Sequence, residues 1–332
     1  MKLIFFAFKH RYRYKDLNNF LHSRFYGKYF LINLGGPFKH FIAKVLLRLN
    51  WGFAISCDAR PLIKKKKQGI NFFIRGTNLN IPLEYSTLEN NYVSIKNPFK
   101  KENNIFQVFP VNIKKFKVIN KRRIVFIGES KIDTISSNLD LWKKYKSEVF
   151  KDFTIIDNKK FWKKILKKKD YKNFYNYYKQ FKILLRLQLI KYIKKNFSSK
   201  FILIGDDWKN HSIDSLPSNY DLKFTKKMYE GNICLDFGSL EGSSSLYTRS
   251  NQIIESGGLL LQNRQSDHKY IWKNLSKKIS FNNFKNLYDL TNRLLNNDIL
   301  CNELFKEISK NFSKDKRLTE KNLDFIFKKS LR

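Results

Sequence analysis

"FLINLGGPFKHFIAKVLLRLNWGFAISC", residues 30–57, decides the fold class. A short apolar run closes on Gly35 and Gly36, and Pro37 stands where its fixed φ and missing N–H suit the first turn of a helix. Phe38, Ile42, Val45, Leu46 and Leu49 then recur at three- and four-residue steps, which predicts that helix. "GFAISC" follows as a second apolar run of strand length. Strand, glycine turn, helix and strand in that order make a parallel α/β unit, because parallel neighbours need a crossover between them.

The same grammar extends outward. The opening "MKLIFF" reads as a strand, its apolar run being too short for a secretory segment or a membrane span. "INFFIRGT" adds another strand, and Lys64 to Lys67 read as a solvated loop. From about residue 86 to 122 the pattern weakens into polar clusters and two prolines, read as the end of a first domain. It restarts at "RRIVFIGESK", with a buried strand over Ile124 to Ile127 that ends in Gly128. "KFILIGDDW", "GNICLDFGS", "GLLLQ" and "KKISF" are further strands, with helices around "YTRSNQIIES", "NLYDLTNRLLNN" and "NELFKEISKNF". The expectation is α/β, with two doubly wound Rossmann-like domains. A reduced one spans residues 1–118, a second 119–318, and 319–332 form a tail. Tyr171, Phe174, Tyr178, Phe181, Leu185, Leu189 and Tyr192 mark an amphipathic helix, read as packing on its own sheet or, through its lysines, on a membrane surface.

At 332 residues with 42% hydrophobic and 16% aromatic side chains, the chain is long and apolar enough to fold into two cores. Its net charge of +38 suits a polyanion, either nucleic acid or an anionic membrane. Lys, Asn, Ile, Phe and Tyr all have A/T-rich codons, so the base composition of the gene is the favoured account of the lysines, and charge alone does not name the partner. Cys57, Cys234 and Cys301 are scattered and have no zinc-type spacing, which fits a reducing cytoplasm.

In an open parallel sheet a ligand sits beyond the carboxyl ends of the strands. Glycine loops of that kind follow at Gly128-Glu129-Ser130-Lys131, Gly205-Asp206-Asp207-Trp208 and Gly238 to Ser245, with Gly257-Gly258 as a fourth glycine turn. Together they suit a nucleotide diphosphate. Neither a Walker loop nor a GxGxxG fingerprint is present. Asp206-Asp207 is the one adjacent Asp pair, read as a capped turn rather than a metal site. Ser243 to Ser245 suit either phosphate hydrogen bonds or a plain turn.

"NICLDFGSLEGSSSLYTRSNQIIESGGLLLQ", followed by "ISFNNFKNLYDLTNRLLNND", resembles the C-terminal domain of glycosyltransferases of the two-domain GT-B fold. It is closest to the spore-maturation-type (CgeB-like) and group 1-type transferases. The resemblance covers about residues 120 to 315. It implies two domains facing a cleft and a nucleotide-sugar donor held by the second. It places Arg249 near the donor diphosphate, Gly257 and Gly258 at the family's GG turn, and Gly128 and Ser130 by the phosphates. Lys131, Asp206, Ser243 and Tyr247 join the donor-binding set, and Gly35 and Gly36 are the cleft glycines. Gln252 stands where the family carries the glutamate that grips the ribose, which loses a charge-assisted bond. Asp58 and His40 are the candidate general bases.

The resulting expectation is an enzyme, a metal-independent glycosyltransferase with no cofactor. Its partners would be a nucleotide-sugar and a glycan or lipid-linked acceptor, in the cytoplasm with peripheral contact to an anionic membrane. Two rivals stand beside it: a catalytically silent GT-B-like scaffold and a basic nucleic-acid-binding protein. Lysines spread along nearly every segment, without a nucleic-acid motif, argue against the last.

Overall fold

The computed structural model describes residues 3–8, 30–33, 37–49, 51–57, 70–75, 91–93, 113–118, 122–135, 139–167, 174–219, 221–238, 240, 248–265, 268 and 272–311. They belong to two compact units, the first holding the described residues up to Val93 and the second those from Ile113 on.

The first unit runs β1 (Leu3–Phe8), β2 (Phe30–Asn33), α1 (Pro37–Arg48), β3 (Gly52–Cys57), β4 (Ile70–Arg75) and β5 (Asn91–Val93). All its strands are parallel, in the order β2-β1-β3-β4-β5, and Leu3 pairs with Phe30 on one side and Gly52 on the other. Buried Phe5, Ala43 and Leu47 seat α1 on the sheet, with Leu3, Ile32 and Leu46 packed around them. β5 lies inside the stretch read from sequence as a weakly patterned crossing. Three residues at a sheet edge are too few to set up an alternation.

The second unit runs β6 (Ile124–Ile127), α2 (Asp140–Lys151), α3 (Lys159–Ile165), α4 (Phe174–Phe197), β7 (Phe201–Ile204), α5 (Leu222–Tyr229), β8 (Ile233–Asp236), α6 (Thr248–Glu255), β9 (Leu259–Asn263), α7 (Ser276–Ile279), β10 (Ser280–Phe281) and α8 (Phe284–Leu295), closed by a helix α9 over 298–311. Its sheet is again all parallel, ordered β10-β9-β8-β6-β7. Taken in chain order within each unit, both sheets read second, first, third, fourth, fifth. This is one of the two common doubly wound orders, and both units are therefore α/β and Rossmann-like in character.

Local chemistry sets the helix boundaries. Asn158, Asp221 and Asn283 each accept a first-turn N–H, at 2.9, 3.0 and 2.8 Å, and so start α3, α5 and α8. α4 is the departure from the sequence reading. From Phe181 to Leu187 every side chain is buried, including Lys182 and Arg186, so α4 is a core helix rather than one with a single wet face. Trp142, Trp162 and Phe181 interlock edge-on, at 5.3 Å (Trp142 to Phe181) and 5.1 Å (Trp162 to Phe181) between centroids. Among the described residues no helix is long and apolar enough to cross a membrane.

Candidate functional site

In this strand order the direction of winding reverses between the first and third strands, here β6 and β8, and their carboxyl ends open a crevice. β6 delivers Phe126 and then Gly128; β8 delivers Asp236 and then Gly238. Phe126 and Phe237 stack across the gap at 4.7 Å. Arg249, in the first turn of α6, lies with its guanidinium carbon 5.0 Å from the centre of the Phe126 ring. Gly128 makes that possible, since a Cβ there would stand 2.8 Å from Arg249 Nη2. Arg186 comes from α4 to the same ring at 5.8 Å and donates from Nη1 to the Glu129 carbonyl at 3.2 Å.

Asp236 is the hub beneath them. Wholly buried, it accepts from Ser250 Oγ at 2.5 Å, Gln262 Nε2 at 3.0 Å and the Gly238 N–H at 2.9 Å, and pairs with Arg249 Nη1 at 3.4 Å. With its amide nitrogen turned to Asp236, Gln262 presents Oε1 to His268 Nε2 at 2.8 Å, so that ring nitrogen carries the proton. Burial, then the nearby Arg264 charge, pushes the His268 pKa down to about 3. The ring is neutral near pH 7, and its Nδ1 is a buried lone pair with no hydrogen-bond partner among the described residues. To one side Lys182 Nζ bridges Asp157 at 3.3 Å and Gln265 Oε1 at 3.2 Å. The crevice thus gathers two guanidinium groups and a buried ammonium around a neutral histidine and two buried carboxylates, Asp236 and Asp157, and the excess of cations suits an anion.

The loop after β6 is held from below. Trp208 Nε1 donates to the Gly128 carbonyl at 2.7 Å, and Ser130 donates from its N–H to Asp206 O at 3.2 Å and from Oγ to Asp207 O at 3.3 Å. Gly205 has φ +151°, and a Cβ there would fall 2.2 Å from the Gly128 oxygen, so no other residue fits. Ser130 is buried in this clasp. Lys131 is exposed and left-handed at φ 59°, its ammonium against the Glu129 carboxylate. The Asp206 carboxylate accepts the Ser218 N–H at 2.9 Å, and that bond holds its pKa below the usual range.

The donor-binding residues read from sequence divide between two places. Gly128, Ser130, Lys131, Asp206 and Arg249 come together at the carboxyl edge, and Gln252 sits one turn along α6. Gly257 and Gly258 lie at the amino edge of the same sheet, immediately before β9, and α6 separates them from Arg249 by about 12 Å. There they form a helix stop. Gly258 N–H bonds Ile253 O at 2.9 Å and Gly257 N–H bonds Ile254 O at 3.1 Å, with Gly257 at φ +77°. A Cβ on Gly258 would meet Tyr229 O at 2.7 Å, which is why two glycines are needed rather than one. His40 is half-buried on α1 in the first unit. Gly35, Gly36, Asp58, Ser243 and Tyr247, and the 319–332 tail, lie outside the described residues.

Asp236, Gln262, His268, Lys182 and Arg186 were not singled out in the sequence. The first two did leave a signal: "ICLD" and "LLLQ" each end an apolar, buried strand in a hydrogen-bonding side chain, at the edge where ligands bind. Among the described residues no group of three or more His, Cys, Asp or Glu side chains is placed to hold a metal ion. Comparison with protein-family models, curated proteins and solved structures gives no match.

Proposed function

We propose that the chain is a glycosyltransferase of the GT-B type, moving a sugar from a nucleotide-diphosphate donor to a surface polysaccharide or glycolipid at an anionic membrane. The observation that carries this reading is Arg249, held on the Phe126 ring at 5.0 Å in the space that Gly128 leaves, at the switch point of a doubly wound sheet. The strand order repeated in the two units supports it.

In this reading the donor diphosphate lies against Arg249 and the N–H groups that open α6. The guanidinium and the helix end meet the charge that develops as the glycosyl bond breaks. These groups are in place before reaction, and positive charge is supplied by the chain itself, so the reading calls for no metal. Lys131, on the exposed shoulder of the same loop, is free to swing toward a terminal phosphate once it leaves Glu129. Asp58 and His40 are the proposed bases for the acceptor hydroxyl. Gly257 and Gly258 serve the fold by ending α6.

The test is thermal unfolding of the full chain against a panel of nucleoside diphosphates and nucleotide sugars, with and without EDTA. A donor at 100 times its dissociation constant stabilises by about 2.7 kcal/mol, a few degrees in melting temperature. The expected result is a shift selective for one base, insensitive to EDTA and reduced in Arg249→Lys, which keeps a charge over Asp236 but loses the planar fork. No shift with any nucleotide would overturn the proposal.

A further inference from the structure

Helix α1 is apolar on two opposite sides. Ala43 and Leu47 are fully buried and face the first sheet. At about 100° per residue, Phe41, Val45, Phe38, Leu49 and Ile42 fall within one arc of about 100° on the far side. Phe38 is 73% exposed, Phe41 65%, Leu49 57%, and Trp51, just past the helix, 61%. Single exposed apolar residues are ordinary, but a continuous stripe of this size with two aromatic rings, and a third exposed ring just past the helix, marks a contact surface. Lys44 and Arg48 border the stripe on one side and Lys39 on the other, all exposed.

We propose that this face of α1 is the surface by which the protein docks on an anionic lipid bilayer. The helix lies along the interface, with Phe38, Phe41 and Trp51 among the headgroups and Lys39, Lys44 and Arg48 against lipid phosphates. Charge selects this occupant. On a chain of net charge +38, a second copy would bring like-charged rims together, whereas an anionic bilayer complements them. Nucleic acid would complement the rims but not the stripe, because Ile42, Val45 and Leu49 have neither a π-face to stack on a base nor a polar atom to bond one. Aromatic rings beside basic side chains suit the boundary between headgroups and hydrocarbon. The inference rests on the membrane-contact part of the proposed function and not on sugar transfer. It moves the contact from α4, whose apolar side chains are in the core, to α1.

The structure supplies its own reporter. Of the five tryptophans, Trp142, Trp162, Trp208 and Trp272 are at most 7% exposed, so Trp51 alone answers to its surroundings. The experiment titrates the full chain with vesicles of phosphatidylcholine alone and of phosphatidylcholine mixed equally with phosphatidylglycerol, following tryptophan emission, acrylamide quenching and co-sedimentation. With the mixed vesicles the emission moves to the blue and quenching falls; with phosphatidylcholine alone it does not. The double variant Phe38→Ser/Phe41→Ser, at two exposed positions, keeps the melting temperature and binds the mixed vesicles about tenfold more weakly, or less well still. Trp51→Phe still sediments with them but loses the spectral change. Undiminished sedimentation of the double variant would overturn this surface while leaving membrane contact standing. No binding to mixed vesicles would overturn both, and neither result touches the nucleotide-shift test, which contains no lipid. Shielding of Trp51 that grows with protein concentration alone, or that an oligonucleotide produces equally well, would also overturn it.

Discussion

Arg122 and Arg249 stand at opposite edges of the second sheet, each beside a glycine, and their side chains are 3% and 16% exposed. Arg122 donates from Nε to the Gly231 carbonyl at 3.3 Å and from Nη1 to the Leu294 carbonyl at 3.2 Å and Asp298 at 2.7 Å. It ties the last turn of α8 to the amino edge of the sheet, where a cation also suits the helix dipole. Arg249 lies on an aromatic ring next to a space kept open by Gly128 and reaches solvent. Residue type is the same at both edges. Each also meets a ring, Phe116 at 5.5 Å and Phe126 at 5.0 Å, and a carboxylate. The difference lies in the rest: main-chain acceptors make Arg122 a staple, while the space left by Gly128 lets the Arg249 guanidinium reach solvent.

If that contrast holds, variants at the two edges fail in opposite ways. The largest loss of stability belongs to Arg122→Ala. It strands the buried Gly231 carbonyl, leaves the Leu294 carbonyl with the weak Cys301 thiol donor at 3.1 Å, and opens a void, at a cost of about 3 kcal/mol, while Asp298, 56% exposed, stays solvated and adds little. Calorimetry should record that loss with the nucleotide response intact. Gly257→Ala comes next at about 2 kcal/mol, from a left-handed φ of +77° and a Cβ 2.8 Å from the Lys115 carbonyl. A fall of less than about 0.5 kcal/mol in Gly257→Ala would show that α6 can end without its glycine.

His268 extends the comparison to pH. Its pKa is about 3 in the folded chain against 6.5 unperturbed, so between those values the unfolded chain binds a proton that the folded one refuses. The stability is complete above the higher value and is lost as pH falls toward the lower, by up to about 1.4 kcal/mol per pH unit. Denaturant melts between pH 4 and pH 7 of the parent and of His268→Gln, which keeps an N–H for Gln262, should show a shallower acid limb in the variant. Equal slopes would mean that the buried imidazole is not what titrates.

Much of this fold was legible. Strands buried on both faces read as short continuous apolar runs, and "IVFI", "ICLD" and "LLLQ" each carried that signature and a clear end. What stayed hidden depended on contacts distant in sequence. The stripe that marked α1 as helical, Phe38 to Leu49, is, apart from Leu46, the side turned to solvent, while Ala43 and Leu47 hold the helix down. Periodicity reports that a helix has an apolar face; it does not say which neighbour takes it. Lys182 and Arg186 carried no signal of their own in the sequence, because burial of a cation depends on where Asp157 and the Phe126 ring arrive in space. The resemblance put Gly257 and Arg249 in one donor-binding set, yet a two-turn helix places them at opposite edges.

The smallest change in stability is expected at the edge proposed to work. In Arg249→Lys the ammonium can still face Asp236, which keeps Ser250, Gln262 and the Gly238 N–H as donors, so the buried carboxylate is never left alone. What disappears is the flat guanidinium on Phe126, with donors left over to meet a second anion. Folding should therefore move by no more than about 1 kcal/mol. Losing a charge-assisted pair to the ligand removes about 1.5 to 3 kcal/mol of binding, or roughly a tenfold to hundredfold rise in nucleotide Kd. Isothermal titration and unfolding on the same sample separate the two numbers. If stability falls by as much as in Arg122→Ala while nucleotide affinity holds, Arg249 is a second staple and the crevice must find its anion elsewhere, with Arg186 on the same ring as the next group to vary.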